Sequence, residues 1–286
     1  VGPITAQLRA AYGRATRAPA SGAREAVFLT NTTYGTYESQ VASPNLGPEF
    51  QAGTEGGLEL YFGSRASLQI THYDQHVDNL IISVPVDSVQ SINPNTVGNY
   101  IYAPVTQKQN VGAVRNVGWE GQAHVNIISG FSLDGTLSNT ISRFQHLLPT
   151  YKCGLAATQV DECLYPGASL YNLAEHTGAL AANYAAARFN LNVSMSYIGQ
   201  RHLAYDSGDD EAATDARLST SVFTYVPVTA PGYETYNVRG AYQISRSLQA
   251  TLAVQNAGNS HDGDYTGRLY LPAIGRTTMV GLRISR

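Results

Sequence analysis

The sequence predicts an all-β chain: a segment of an antiparallel transmembrane β-barrel, about ten meandering strands with short periplasmic turns and long extracellular loops. Three observations predict it. Apolar and polar residues alternate with a period of two, as side chains leave opposite faces of a pleated strand. Tight turns take turns with connections of roughly twenty to thirty residues, so the two ends of the sheet face different environments. Charged residues make up only 14% of the 286, against about 25% in an average soluble domain.

The elements follow in chain order. A first strand covers about 6–14, and a long connection of about 15–48 leads to a second over about 49–62. There Phe50, Ala52, Leu58, Leu60 and Phe62 oppose Gln51, Glu55 and Glu59. A turn near Gly63-Ser64 returns the chain as a strand over about 66–76, followed by a connection of about 77–110. The next hairpin, about 111–128 and 131–145, turns at Ser129-Gly130 and shows the alternation most clearly. Asn116, Gly118, Glu120, Gln122 and His124 alternate with Val117, Trp119, Gly121, Ala123 and Val125. After a connection of about 146–175 come strands over about 176–185 and 188–200, joined at Ala186-Ala187. In the second of these, Phe189, Leu191, Val193, Met195 and Tyr197 oppose Arg188, Asn190, Asn192, Ser194 and Ser196. A connection of about 201–232 precedes strands over about 233–244 and 248–256, joined at Ser245-Arg246-Ser247. The last connection, about 257–275, leads to a closing strand over about 276–286.

A soluble sandwich also alternates, because its outer face is polar. Strand length separates the two, since several strands here reach the 9–11 residues that cross a bilayer with tilt. Tyr12, Tyr61, Tyr184, Tyr197 and Tyr242, at or near strand ends, suit interfacial girdles. No run of about 18 apolar residues predicts a transmembrane helix. A net charge of -3 and a pI near 6.2 give no sign of a nucleic-acid partner. The chain opens at Val1-Gly2-Pro3 without an initiator Met or a signal peptide, and so is expected to be a piece of something longer.

Chemistry-bearing motifs are sparse. No GxSxG, HExxH, P-loop or dinucleotide fingerprint occurs, so no catalytic residue and no cofactor is expected. Cys153 and Cys163 have neither a CxxC partner nor a nearby His pair for zinc, and their spacing suits a disulfide clipping a loop. The acidic run Asp206–Glu211 and His261-Asp262-Gly263-Asp264 read as solvated turns before they read as calcium sites, and no metal site is expected. The loops carry Tyr34, Tyr37, Tyr100, Tyr102, Tyr151 and Tyr165. Tyr supplies rigid amphipathic contact area, for a ligand or for packing loops together. Arg14 and Arg17 could meet an anionic ligand or line a polar lumen, the second being the simpler reading.

The segment Leu8–Pro19, with Arg14-Ala15-Thr16-Arg17-Ala18-Pro19 at its end, resembles a strand-and-loop motif of TonB-dependent outer-membrane receptors. Pro44-Asn45-Leu46-Gly47-Pro48-Glu49, leading into Gly53-Thr54-Glu55-Gly56-Gly57-Leu58-Glu59, is similar to another. Asn110–Glu120, and Thr71–Asp74 followed by Asn79–Ile82, resemble the SusC/RagA-type branch in particular. Val254–Asn259 and Gly275–Arg283 resemble closing strands. Each motif is weak by itself; their order and spacing make the resemblance specific.

The resemblance implies a barrel of about 22 strands around a plug, energised through the TonB complex, that imports siderophore chelates, cobalamin, oligosaccharides or peptides across the bacterial outer membrane. A SusC-type member works with a SusD-like surface lipoprotein. Glu55, Glu59, Asn116, Glu120, Gln122, Arg188, Asn190 and Arg239 would then be lumen-facing wall, and outer-membrane lipid would cover the other face. The plug and TonB-contacting segment are absent from these residues, so the chain is expected to be the C-terminal part of the barrel. It also ends on Arg286, in the parity of Leu282 and Ile284, where the family has an aromatic residue. Ten strands alone leave two open edges, each costly in hydrocarbon, or close into a barrel too narrow for bulky cargo. A passive ten-stranded porin and a secreted β-rich binding protein are the competing readings.

Overall fold

In the computed structural model, residues 3–31, 35–90, 102–152, 164–170, 173–202, 229–261, 264–266, 269–271 and 273–284 are described. One antiparallel sheet of ten strands dominates. Its members are β1 (Ile4–Arg17), β4 (Glu49–Phe62), β5 (Ala66–Asp78), β8 (Gly112–Ile128), β9 (Phe131–Leu147), β10 (His176–Ala185), β11 (Phe189–Ile198), β14 (Tyr233–Gln243), β15 (Leu248–Gln255) and β18 (Thr277–Ile284). They lie side by side in chain order, each antiparallel to its neighbours, so the sheet is a pure meander with β1 and β18 at its edges. All ten expected strands are present, and two keep the expected bounds, 49–62 and 176–185.

The hairpins explain why the meander turns where it does. At the β8–β9 turn, Gly130 has φ 79°, a left-handed conformation that costs a residue with a Cβ but not Gly. A Cβ there would also run into the carbonyl of Ala185, whose own N–H donates to the Gly130 carbonyl at 2.6 Å. The turn is thus tied to the next hairpin along. β8 carries two irregularities, between Ala113 and Val114 and between Asn126 and Ile128, which add twist near its two ends.

The register sorts the side chains into two faces, because cross-strand partners share a face. One is polar across the whole sheet. Its rows include Glu59, Gln69, Gln122 and Thr136, and, further along, Asn183, Asn192 and Arg239. The other is apolar and exposed: Leu8 is 82%, Val280 79%, Leu282 69% and Leu137 64% accessible. An apolar face running over ten strands far exceeds the few hundred Å² that soluble proteins expose. On β9 it runs from Phe131 through Leu133 and Leu137 before Asn139, and on β11 from Phe189 to Tyr197. The β11 run is the length a tilted strand needs to cross hydrocarbon.

Aromatic rings bound this band at both ends. Tyr184 and Phe189 lie 6.3 Å apart beside their short turn, and Trp119 stacks on His72 at 4.5 Å at the opposite end. Tyr12, Tyr184, Tyr197 and Tyr242 also lie on the apolar face, partly or largely exposed. Tyr61 does not. It has the parity of Glu59, and its hydroxyl donates to the Glu59 carboxylate at 2.7 Å.

The long connections hold more structure than expected. Four strands, β2 (Val27–Asn31), β3 (Gly35–Val41), β6 (Ile81–Gln90) and β7 (Tyr102–Asn110), form a second sheet in the order β2-β3-β7-β6. The β3–β7 pair is parallel. Among the described residues there are also two short ribbons: β12 (Arg201–His202) with β13 (Thr229–Ala230), and β16 (Asp264–Thr266) with β17 (Leu269–Leu271). Among the described residues, the cluster of buried apolar side chains also lies at this end. Val84, Val111, Val114, Phe144, Leu164 and Ala168 form it, with Leu80, Ile82, Tyr151 and Tyr165 packed around them. The described molecule therefore has a water-type core only beyond the apolar band.

Candidate functional site: a polar wall and its loop cap

The polar face is cross-linked by side chains. Arg9, on β1, reaches across β4, pairing with Glu55 at 3.0 Å and Glu59 at 3.4 Å, and donates to the Thr71 hydroxyl on β5 at 2.5 Å. One guanidinium thereby joins three strands, which its planar fork of donors allows. Gln51 donates to Gln75 at 3.0 Å nearby. Tyr73 lies across Gly118 to share a hydrogen bond with Thr140 at 2.6 Å. A Cβ at 118 would meet the Asn139 carbonyl and the Tyr73 ring, so only Gly leaves room for this crossing. Asn116 accepts from the Ser142 hydroxyl on β9.

A second network crosses β8 to β11. His124 Nδ1 and Asp134 Oδ1 are 2.7 Å apart, Asn183 donates to Asp134 Oδ2 at 2.8 Å, and Asn192 donates to Asn183 at 2.7 Å. Asp134 thus accepts from both sides while Asn183 passes the chain on as donor and acceptor.

At the loop end, two of the motif segments meet. Arg17 pairs with Glu49, which is buried, and the other Glu49 oxygen accepts the Ile81 N–H at 2.8 Å. Arg17 is therefore committed to a carboxylate, whereas Arg14 has the parity of Tyr12 and belongs to the outward face beyond the aromatic ring. The Asn110 amide binds Gly47 in both directions, at 2.8 and 3.1 Å, and donates to the Asn79 carbonyl at 2.7 Å. Those bonds hold the 44–49 motif against the start of β6.

Of the expected wall residues, Glu55, Glu59, Asn116, Glu120, Gln122, Asn190 and Arg239 all fall on the polar face. Arg188 does not reach a strand. It sits in the β10–β11 turn, where its carbonyl accepts from Gln243. The structure brings Glu55 and Glu59 together through Arg9, which periodicity could not single out, because the register between β1 and β4 sets that meeting. For the same reason periodicity does not join His124, Asp134, Asn183 and Asn192 into one network. Tyr61 was legible, since its odd number already shares the parity of Glu59.

Among the loop tyrosines, Tyr34 and Tyr100 lie outside the described residues. Tyr102 opens β7 and Tyr37 lies within β3. Tyr151 and Tyr165 pack against the buried cluster. The Tyr151 hydroxyl accepts the Leu164 N–H at 2.8 Å. Burial pushes the Tyr151 phenol above its usual range, and the Leu164 bond opposes part of that shift. Both rings thus serve loop packing. Cys153, Cys163 and the run 206–211 lie outside the described residues, and among those described no group of three or more His, Cys, Asp or Glu is placed to hold a metal.

A polar wall backed by a lipid-width apolar face, with structured loops at one end only, defines a transmembrane β-barrel segment of the outer-membrane type. The chain belongs to the TonB dependent receptor-like β-barrel family, whose model matches residues 4–257. No curated protein matches it in sequence. Solved structures do. The siderophore receptor PirA from Acinetobacter baumannii is 15% identical with a TM-score of 0.63, covering 98% of this chain and 39% of its own. The ferric-catecholate import receptor Fiu from E. coli K12 is 16% identical with a TM-score of 0.62, covering 98% and 33%. The copper transporter OprC is also 16% identical at 0.62, covering 99% and 37%. The chain thus spans between a third and two fifths of these receptors, and the likeness is one of fold.

Proposed function

We propose that this chain forms the C-terminal part of the barrel wall of a TonB-dependent active importer in the bacterial outer membrane. The carrying observation is the division of the ten-stranded sheet into a continuous apolar face and a cross-linked polar face. The apolar face meets outer-membrane lipid. The polar face, with Glu55, Glu59, Asn116, Glu120, Gln122, Asn190 and Arg239, lines a lumen that a plug fills, and the plug carries the contact to the TonB complex. The remaining strands and the plug belong to the same protein outside these residues. The role is transport rather than catalysis, with no cofactor. Bulky nutrients are the cargo: siderophore-type chelates, oligosaccharides or peptides.

The SusC/RagA-type branch is the finer proposal. It is supported by the segment Asn110–Glu120 and by Thr71–Asp74, and it brings a SusD-like surface lipoprotein as partner. The loop end suits a lid, because β2, β3, β6 and β7 give it a folded platform.

The test is uptake by cells expressing the whole receptor, with a ferric siderophore, a maltooligosaccharide and an oligopeptide as cargo. Import of at least one should stop when TonB is deleted. Uptake that is independent of TonB would point to a passive porin and overturn the proposal. Co-purification of a surface lipoprotein with the receptor tests the branch separately.

A further inference from the structure

We propose that β2, the open edge of the loop sheet, is completed in the whole receptor by an extended segment of the same polypeptide, drawn from the extracellular connection of the wall that continues past β1. This deepens the import reading and rests on it for the existence of that wall.

Among the described residues β2 pairs on one side alone, with β3. Alternate residues along its other side present N–H and C=O groups outward, a ready template for a further strand. Proteins blunt such edges with proline, charge or a bulge. The far edge of the same sheet carries all three: Pro85 has no N–H to offer, Val86 is an extra residue in β6, and Asp87 brings a charge. β2 has neither a proline nor a charged residue. The irregularity in its pairing lies on the β3 side, where Ser39 is the extra residue and donates to the Val27 carbonyl at 3.0 Å. Phe28 and Leu29 leave opposite faces of the strand, and they are 63% and 48% exposed. An edge that is unguarded, and apolar on both faces, is suited to being covered.

The size of the edge favours a cover from the same chain. A strand of five residues falls well short of the roughly 1,000 Å² that separate proteins bury in a specific interface. A tethered segment needs less area, because it is held near its site at about millimolar effective concentration. The open edges of the two sheets also belong to consecutive strands, β1 in the wall and β2 in the loop sheet. Continuation of the wall past β1 therefore brings its own connection toward β2. This chain covers 33% of Fiu and 39% of PirA, so a wall of that kind has ample length to supply the segment. The start of β2 is already fixed. Arg24 donates to the Leu46 carbonyl at 2.6 and 3.1 Å, Gln40 donates to the Glu25 carbonyl at 2.8 Å, and the Ser43 N–H donates to the Arg24 carbonyl at 3.0 Å. Only the incoming segment has to be ordered on pairing.

The experiment replaces Phe28 by the photo-crosslinking residue p-benzoylphenylalanine in the whole receptor, in cells, and maps the adducts by mass spectrometry. Irradiation should join position 28 to a peptide N-terminal to Val1, and the adduct should migrate with the mass of one receptor. Adding Leu29→Lys, which puts a charge on the edge, should lower the adduct yield several-fold. Without the probe, the backbone amides of 27–31 should exchange roughly tenfold faster in Leu29→Lys than in the unaltered receptor. Heat-modifiable mobility on gels checks that each variant is still a barrel. Adducts confined to residues 1–286, adducts to a second copy, a surface lipoprotein or lipopolysaccharide, no adduct, or exchange unchanged by Leu29→Lys would overturn the proposal. An adduct N-terminal to Val1 in a receptor whose uptake is independent of TonB would sink the import reading and leave the pairing standing.

Discussion

Leu180 offers the sharpest test of the two-faced wall. It lies in β10, four positions from Tyr184 at the short-turn end and four from His176 at the other. At about 3.3 Å per residue it is some 13 Å along the strand from either boundary, or about 10 Å in depth once a tilt near 40° is applied. That is the middle of the hydrocarbon. Arg on the lipid face at this depth costs about 2–4 kcal/mol, a change of roughly 30- to 900-fold in the folding equilibrium. Its neighbour Ala181 has the other parity and pairs with Asp134 and Ser194. Arg at 181 should cost less than about 1 kcal/mol, since it meets a carboxylate on a polar face. Both variants would be refolded into lipid vesicles over a urea series and followed by tryptophan fluorescence. Equal penalties at 180 and 181, or a larger one at 181, would refute the face assignment.

Three further outcomes follow from the geometry. Gly118→Ala should destabilise the barrel by about 1–3 kcal/mol, seen as a lower unfolding midpoint, because the Asn139 carbonyl cannot move aside as a side chain could. Asn110→Ala removes three bonds to Gly47 and Asn79; amide exchange should accelerate over 43–49 and 79–82 while β4 and β5 keep their protection. Tyr151 is held neutral by burial, so the unfolded loop loses its proton first. The loop cluster should therefore weaken as pH rises above about 10, and Tyr151→Phe should flatten that dependence in phenolate absorbance and exchange measurements.

The strands of the main sheet are legible in the sequence because each must satisfy lipid on one face and polar partners on the other. That demand writes a period of two into runs such as Phe189–Tyr197, and Gly63 and Gly130 punctuate the runs. The loop sheet carries no such signal. Val27-Phe28-Leu29 is apolar on consecutive positions, and β7 reads as Gln, Lys and Asn toward its end. Pro85, which argues against a strand interior, is tolerated in β6 because the register shifts there. Pairing of β3 with β7 joins segments more than sixty residues apart, and no local pattern announces it. The wall residues divide in the same way. Parity places Glu55, Glu59 and Glu120 on the polar face, but only strand register brings Arg9 to two carboxylates. Arg188 shows the limit of parity, since the pattern continues by chance into the turn.

The side-chain bonds of the ten-stranded sheet bear on its curvature. Backbone ladders hold strands at a fixed spacing and are nearly indifferent to which way the sheet curls. The bonds from Arg9 to β4 and β5, and from His124 through Asp134 and Asn183 to Asn192, all lie above one surface. Each draws neighbouring strands together on that surface, while on the other surface the leucines and valines of the band impose no such tie and the bonds of Arg115 to Asp74 and Asn139 to His176 lie toward the loop end. Within the apolar band the sheet is stitched on one side, and it bends toward the stitches. In the proposed barrel the polar chemistry of the wall thus favours its concave side, and lipid has only to accept the convex one.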